Sequence, residues 1–247
     1  MRFSNKVVFV TGSSRGLGAC LAFSFAKEGA KVVINYNKSY DEAVCLKKKI
    51  DEFGSCMIVS GDVSSEDDVS RMVSEIVSFY GGIDILVNNA GICNDCLFDS
   101  KDVSSFRRVL DVNLIGTYLV SKYVGKVMMA NKGGKIINIS SDNGIDRYYP
   151  LSCDYDASKA GVISLTHNMA RFYAPYINVN CVCPGWMNTD MNSDMDDDYK
   201  KNICDKILLG RFGEVSEVSN LCLFLASDAA SYVNDSIIKV NGGISNE

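Results

Sequence analysis

The chain alternates, with almost no interruption, between short β-branched runs and stretches of ten or more residues with helical periodicity. "KVVFVT" (6–11), "KVVINY" (31–36), "CMIVSG" (56–61), "DILVNN" (84–89), "KIINIS" (135–140), "INVNCVC" (177–183) and "SIIKVN" (236–241) read as strands. Helices are expected from the glycine-rich turn to Lys27 and over 41–53, 66–80, 105–130, 155–173 and 214–226. Strands of near-continuous Val and Ile offer no polar face to water, so both faces must be covered. The economical solution is an α/β fold: a parallel sheet with helices as crossovers. Right-handed crossovers make it doubly wound, roughly seven strands wide, with helices on both faces. Neither linker nor repeat interrupts the pattern, so residues 1–247 are expected to form a single domain. The acidic stretch "NSDMDDDYK" (192–200) is the one departure in composition and reads as a mobile, solvated insertion.

Several classes of function fall away on charge and composition. A formal net charge of −5 leaves no basic footprint for nucleic acid. The apolar run near the N-terminus is too short for a signal-peptide core, and nothing approaches the roughly 18 apolar residues a membrane span needs. A cytoplasmic location is the expectation. The ten cysteines are scattered, several within apolar runs where a free thiol behaves as a small hydrophobe. "CNDC" (Cys93 to Cys96) is the sole CxxC, and the one histidine, His167, lies far along the chain. Zinc would want a second pair, so no metal is expected.

"TGSSRGLG" (11–18) joins the first strand to the first helix. Gly12, Gly16 and Gly18 let the backbone approach a pyrophosphate at the positive end of a helix, with Ser14, Arg15 and Leu17 completing the turn. Placed after the first strand of an α/β pattern, this is a dinucleotide site. An NAD enzyme usually carries an acid near the end of the second strand for the ribose 2′-OH. Here that stretch is "NYNKS", with Asn35, Tyr36 and Lys38 and no carboxylate until Asp41. Arg15 and Lys38 would attract a 2′-phosphate, so NADP(H) is expected over NAD(H).

Three tyrosines follow the fifth strand. Tyr155 has Lys159 four residues on, one helical turn away on the same face. A cation there is expected to lower the phenol toward neutrality and fit it for proton transfer. Tyr148 and Tyr149 lie in a segment with Pro150 that reads as loop, at the mouth of a substrate site or over the core. Ser140 and Ser141 end the fifth strand, where open parallel sheets place their ligands. His167, three turns beyond Tyr155, reads as structural.

"TGSSRGLG", "GDV" (61–63), "NNAG" (88–91), "VN" (112–113), "INISS" (137–141), "YDASK" (155–159) and "PGWMNTDM" (184–191) fall in an order that resembles the short-chain dehydrogenase/reductase family over essentially the whole chain. The resemblance implies a single Rossmann-type domain, usually tetrameric, that moves a hydride between a nicotinamide and a carbonyl or alcohol carbon. It makes Asn113, Ser141, Tyr155 and Lys159 the catalytic set, with Asn113 holding a water on the proton route through the lysine. It assigns Asp62 and Val63 to the adenine, and Asn89, Ala90 and Gly91 to the ribose and pyrophosphate path. Pro184, Gly185, Met187 and Thr189 fall to the nicotinamide, while Trp186 reads as packing. The Ser141-to-Tyr155 spacing is one residue longer than the family's usual, which implies a bulged loop.

Within the family the chain is most similar to the 3-oxoacyl-[acyl-carrier-protein] reductases, which implies NADPH reduction of a β-keto thioester in fatty acid biosynthesis. An acidic carrier protein would then want basic docking residues at the tetrad's outer rim. Lys132 and Lys135 stand before the fifth strand, but Tyr176 stands where the second cation is expected, with Arg171 a turn earlier. A sugar, polyol or hydroxysteroid dehydrogenase is the alternative. From another class comes a non-catalytic NADPH-binding sensor or scaffold, which would have no use for a tuned phenol.

Overall fold

The computed structural model describes residues 1–189 and 195–243. Seven strands form one sheet: β1 (Val7–Val10), β2 (Lys31–Tyr36), β3 (Ser55–Ser60), β4 (Ile85–Asn88), β5 (Gly134–Ile139), β6 (Ile177–Pro184) and β9 (Ile237–Val240). Their order is β3-β2-β1-β4-β5-β6-β9, and every pairing is parallel. The expected doubly wound sheet is therefore present. Chain order reverses between β1 and β4, and the carboxyl ends of those strands open the crevice where such sheets bind ligands.

Successive residues of each strand supply opposite layers. Val8 and Val10 pack with Leu21 and Phe25 of α1 (Gly16–Lys27), Ile50 of α2 (Tyr40–Asp51) and Cys222 of α8 (Val215–Ala226). Val7 and Phe9 pack with Met72 and Ile76 of α3 (Glu66–Tyr80), Val120 and Val124 of α5 (Gly116–Ala130) and Met169 of α6 (Cys153–Tyr173). The period of two thus sends one strand's side chains into two separate cores. Polar pegs align the sheet against the second layer. Asn88 Nδ2 donates to Asn138 Oδ1 and to Ser121 Oγ, both at 2.8 Å, and Asn138 Nδ2 donates to Thr166 Oγ1 at 2.9 Å.

Two readings of the sequence need correction. The helical region expected over 105–130 is two helices, α4 (Val103–Leu110) and α5, joined by a wide π-type turn at Asp111–Ile115. Such a turn carries one residue too many for the α-helical ladder, and it commonly marks a functional position. Asn113 sits in it. The acidic stretch is also not a structureless insertion. Residues 192–194 lie outside the described residues, but α7 (Asp197–Lys206) follows, with Asp196 accepting from the amides of Asp198 and Tyr199. Acids at the N-terminus of a helix complement its dipole and fill its orphan donors, so the charge run is a helix start. Two further strands, β7 (Met187–Asn188) and β8 (Gly213–Glu214), pair with each other, and Trp186 stacks on Phe212 at 5.7 Å as a packing residue.

Ile136, fully buried at the centre of β5, is expected to lose about 2–5 kcal/mol of unfolding free energy on Ile136→Ala in a urea titration. Tyr232→Ala, at a fully exposed ring, should cost no more than about 0.5 kcal/mol.

Candidate active site

A cleft of about 630 Å³ lies over the β1–β4 switch point, lined by the glycine turn, the ends of β2, β3 and β4, and Thr189. Gly12 has φ +58, and a Cβ there would stand 2.8 Å from Ala90 Cα. A Cβ on Gly18 would meet Asn89 Nδ2 and Gly12 O at 2.5 Å. No other residue lets the turn and the β4 end approach this closely. Arg15, the N-cap of α1, supplies no side-chain cap, and the first turn has no acid. The amides of that turn thus face the cleft with the positive end of the helix dipole, which suits a pyrophosphate. Arg15 from the glycine turn and Asn37, Lys38 and Ser39 beyond β2 line the same cleft, with Asp62, which accepts from Asn37 Nδ2 at 3.1 Å, beside them. The donor set fits a phosphorylated dinucleotide.

The four residues expected to be catalytic come from three places in the fold, the wide turn before α5, the end of β5 and α6, and converge beside this cleft. Lys159 is 4% exposed, and its Nζ donates to the Ile139 carbonyl at 2.9 Å. The same Nζ stands 5.5 Å from the centre of the Tyr155 ring, as the helical spacing requires. Asn113 is buried. Its Oδ1 accepts from Ile92 N at 2.8 Å, and its Nδ2 donates to Ile92 O and to Ser158 Oγ, both at 3.0 Å. A Cβ on Gly91 would lie 3.4 Å from both Lys159 Nζ and Asn113 Oδ1, so the β4 end closes directly over the pair. Ser140 is turned inward, its hydroxyl donating to the Lys159 carbonyl at 2.7 Å. The buried Ser141 hydroxyl accepts from Asn143 N at 3.2 Å and donates to Asp142 Oδ1 at 3.5 Å.

The electrostatics run against one expectation. Burial pushes the Tyr155 phenol well above its ordinary range; a hydrogen bond with Ser141 pulls the other way and loses. Burial also drives Lys159 down, to about 8, against upward pulls from Cys181, Cys183 and Cys93. The lysine therefore does not bring the phenol toward neutrality in this structure. Helical spacing sets the separation of the two groups, but the dry surroundings decide which charges survive, and they disfavour both phenolate and ammonium. The half-buried phenol of Tyr155 is held in its protonated form.

Of the expected cofactor residues, Gly12, Ser14, Arg15, Gly16, Leu17, Gly18, Asn35, Tyr36, Lys38, Asp62, Val63, Asn89, Ala90, Gly91 and Thr189 line the cleft. Asn35 does so from below. Its Oδ1 accepts from Gly12 N and its Nδ2 donates to Gly61 O, so its amide props the glycine turn. Asp62 is engaged by Ser64, Asn37 and Arg108. Burial works to raise its carboxyl, but the Ser64 and Arg108 contacts outweigh that and hold it below the usual range. Pro184 ends β6, Gly185 N donates to Val240 O at 3.0 Å, and Met187 pairs with Gly213, all at the carboxyl edge but outside the cleft lining.

Arg108 was not foreseen. It lies on α4, remote in sequence, and its side chain reaches the cleft through Asp62 and Ser64, just past the end of β3. The basic residues considered for docking do not line the tetrad. Lys135 opens β5 at the amino end of the sheet, bonded to Asn178 Oδ1, and Lys132 precedes it, so both lie a strand's length from Ser141. Cys93 bonds to Asp95 Oδ1, and among the described residues no cluster of three or more His, Cys, Asp or Glu could hold a metal. His167 pairs with Asp235 at 2.6 Å, away from the tetrad.

Residues 12–245 match the family model described as enoyl-(acyl carrier protein) reductase. A 3-oxoacyl-[acyl-carrier-protein] reductase FabG of Staphylococcus epidermidis is 39% identical over 242 residues, covering 97% of this chain and 99% of that protein. The FabG of Aquifex aeolicus is 37% identical over 250 residues, covering 99% of each. Among solved structures, a gluconate 5-dehydrogenase of Burkholderia cenocepacia in complex with NADP and tartrate superposes with a TM-score of 0.93. It is 34% identical, covering 98% of this chain and 96% of that one. No helix among the described residues is long and apolar enough to cross a membrane.

The depressed lysine has a thermodynamic signature. Its folded pKa of about 8 lies below the 10.5 of a free lysine, so between those pH values the unfolded chain binds more protons and stability rises with pH. The unfolding free energy of the wild type minus that of Lys159→Met should therefore grow by about 3 kcal/mol across that window, measured by urea titration. A flat difference would place the ammonium in water.

Proposed function

The chain belongs to the short-chain dehydrogenase/reductase family, and on that premise we propose that it is an NADP(H)-dependent reductase of a 3-oxoacyl thioester, with a carrier-protein thioester as its natural substrate. The observation that carries the reading is the convergence of Tyr155, Lys159, Asn113 and Ser141 beside a cleft with cations at the ribose end. Bound NADPH would supply the hydride to the carbonyl carbon. Tyr155, held neutral by burial, donates its phenol proton to the carbonyl oxygen, so the ketone becomes an alcohol. Ser141 would hold that oxygen with its hydroxyl hydrogen, exchanging the 3.5 Å contact to Asp142 Oδ1 for the substrate. Lys159 carries positive charge under the phenol and eases the loss of its proton, and Asn113 fixes the β4 end over the lysine. Arg15 and Lys38 would take the 2′-phosphate.

A second cavity, of about 570 Å³, opens along the first two turns of α6, walled by Phe98, Ile145, Tyr148, Tyr149, Pro150 and Ala157. Tyr199 of α7 meets Tyr149 across it, hydroxyl to hydroxyl at 3.4 Å. Apolar walls suit an acyl chain better than a polyol, whose hydroxyls would be left unpaired. The second reading, a sugar or polyol dehydrogenase, is favoured by the similarity to a gluconate 5-dehydrogenase. The intact catalytic set argues against a non-catalytic sensor.

Exposed apolar side chains along α4 to α6, among them Val103, Ile115, Tyr118 and Phe172, support self-association, and a homotetramer is the proposed form. Ten cysteines suit a reducing cytoplasm.

NADPH oxidation is expected with an acetoacetyl thioester and to be weaker with NADH. Tyr155→Phe should cut kcat by at least about 100-fold. Since Tyr155 stays protonated, kcat/KM should fall as pH rises through about 8, where Lys159 loses its charge. Turnover of gluconate-like polyols but not thioesters selects the second reading, and tight NADPH binding without turnover selects the sensor.

A further inference from the structure

Tyr155 is flanked by two aspartates that the proposed chemistry does not use. Asp154 is fully buried, and both its oxygens accept from Lys101 Nζ, at 2.9 and 2.8 Å. Lys101 is itself only 3% exposed on its side chain, and the same ammonium donates to Asn94 O. Asp154 Oδ1 also accepts the Tyr155 amide at 2.9 Å. The loop between β4 and α4 is thereby fastened to the first turn of α6, at the catalytic residue's own backbone.

Asp156 is its counterpart on the other side, since residues two apart on a helix point about 200° apart. Its Oδ1 accepts from Asn143 Nδ2 at 2.7 Å and from Ser152 Oγ at 3.2 Å, and its Oδ2 accepts from Tyr149 N at 2.8 Å. Three donors from the loop between β5 and α6 converge on one carboxylate. Asn143 is the residue whose amide bonds Ser141 Oγ. A chain of contacts therefore runs from the Ser141 hydroxyl through Asn143 to Asp156, which adjoins Tyr155. One lone pair of Ser141 Oγ accepts from Asn143 N–H, and its hydrogen, directed at Asp142 Oδ1 over 3.5 Å, can turn to a substrate oxygen.

We propose that Asp154 and Asp156 are a pair of positioning residues, tying the two loops that border the substrate side to the backbone on either side of Tyr155, and that Asp156 acts through Asn143 to set the Ser141 hydroxyl against the phenol. The proposal rests on the reductase reading above. A buried ion pair contributes little net stability over apolar residues of the same volume, so its worth here is geometric. The lengthened spacing between Ser141 and Tyr155 is absorbed the same way, because the extra chain is bonded to Asp156.

The test uses the full chain with NADPH and an acetoacetyl thioester, comparing Asp156→Asn, Asn143→Ala, the double variant and Lys239→Ala. Lys239 anchors the same loop through Asp146 in an exposed pair that touches none of the tetrad residues, so it controls for loop tethering as such. Asp156→Asn and Asn143→Ala should each lower kcat by about 10- to 100-fold, the cost of a small misplacement. KM and NADPH affinity should move less than about threefold, and the double variant should be no worse than Asp156→Asn, since the two act in one chain. Amide hydrogen exchange over 142–152 should quicken in Asp156→Asn, and Lys239→Ala should keep kcat within about twofold. The proposal is overturned if both single variants keep kcat within about twofold, if the losses fall on KM, or if exchange over the loop is unchanged. A wild type that reduces no carbonyl sinks the reductase reading instead, and the exchange data alone then decide whether the carboxylates hold the loop.

Discussion

A lysine ammonium withdrawn from water onto one backbone carbonyl is an expensive object, and the site is arranged around it. Four elements must meet to hold Lys159 where it is. The β5 end offers the Ile139 oxygen, the β4 end covers it with Gly91, the wide turn before α5 brings Asn113, and α6 carries the lysine itself. Ser140 ties the Lys159 carbonyl to the strand end. The parallel sheet makes this meeting possible, since all its strands deliver their carboxyl ends to one edge.

Burial moves the lysine and the tyrosine in opposite senses, raising the phenol and lowering the ammonium. In the proposed reduction, a phenol that resists ionisation keeps the proton a carbonyl oxygen would need, and a lysine with a pKa of about 8 responds readily to what binds beside it. Behind the site, Asn88, Asn138 and Thr166 lock strand to strand and sheet to helix.

Much of this was legible in the sequence because backbone demands leave strong marks. The Val/Ile runs gave the strands to within a residue or two, and Gly12 and Gly18 stand where no Cβ fits. Tyr155 and Lys159 could be paired because a helix fixes residues four apart. What the chain did not reveal was set by tertiary burial. The direction of the Tyr155 shift depends on dielectric, which spacing does not encode. Arg108 and Lys101 reach their partners across 46 and 53 residues, distances that only packing closes. The helix within the acidic run was masked because Asp reads as solvated charge, although Asp196 is a cap. Lys132 and Lys135 looked like rim residues because β5 leads to the site, yet they stand at its far end.

The central claim is that desolvation keeps Tyr155 protonated while it lowers the pKa of Lys159 to about 8. The most direct measurement is an NMR titration of the free enzyme labelled with ¹³C at the tyrosine ring carbon bearing the hydroxyl, with Tyr155→Phe identifying the signal. The account predicts that this resonance stays in its protonated position up to pH of about 10 or beyond. A phenolate transition near pH of about 7 would contradict it and restore the lysine as the dominant influence.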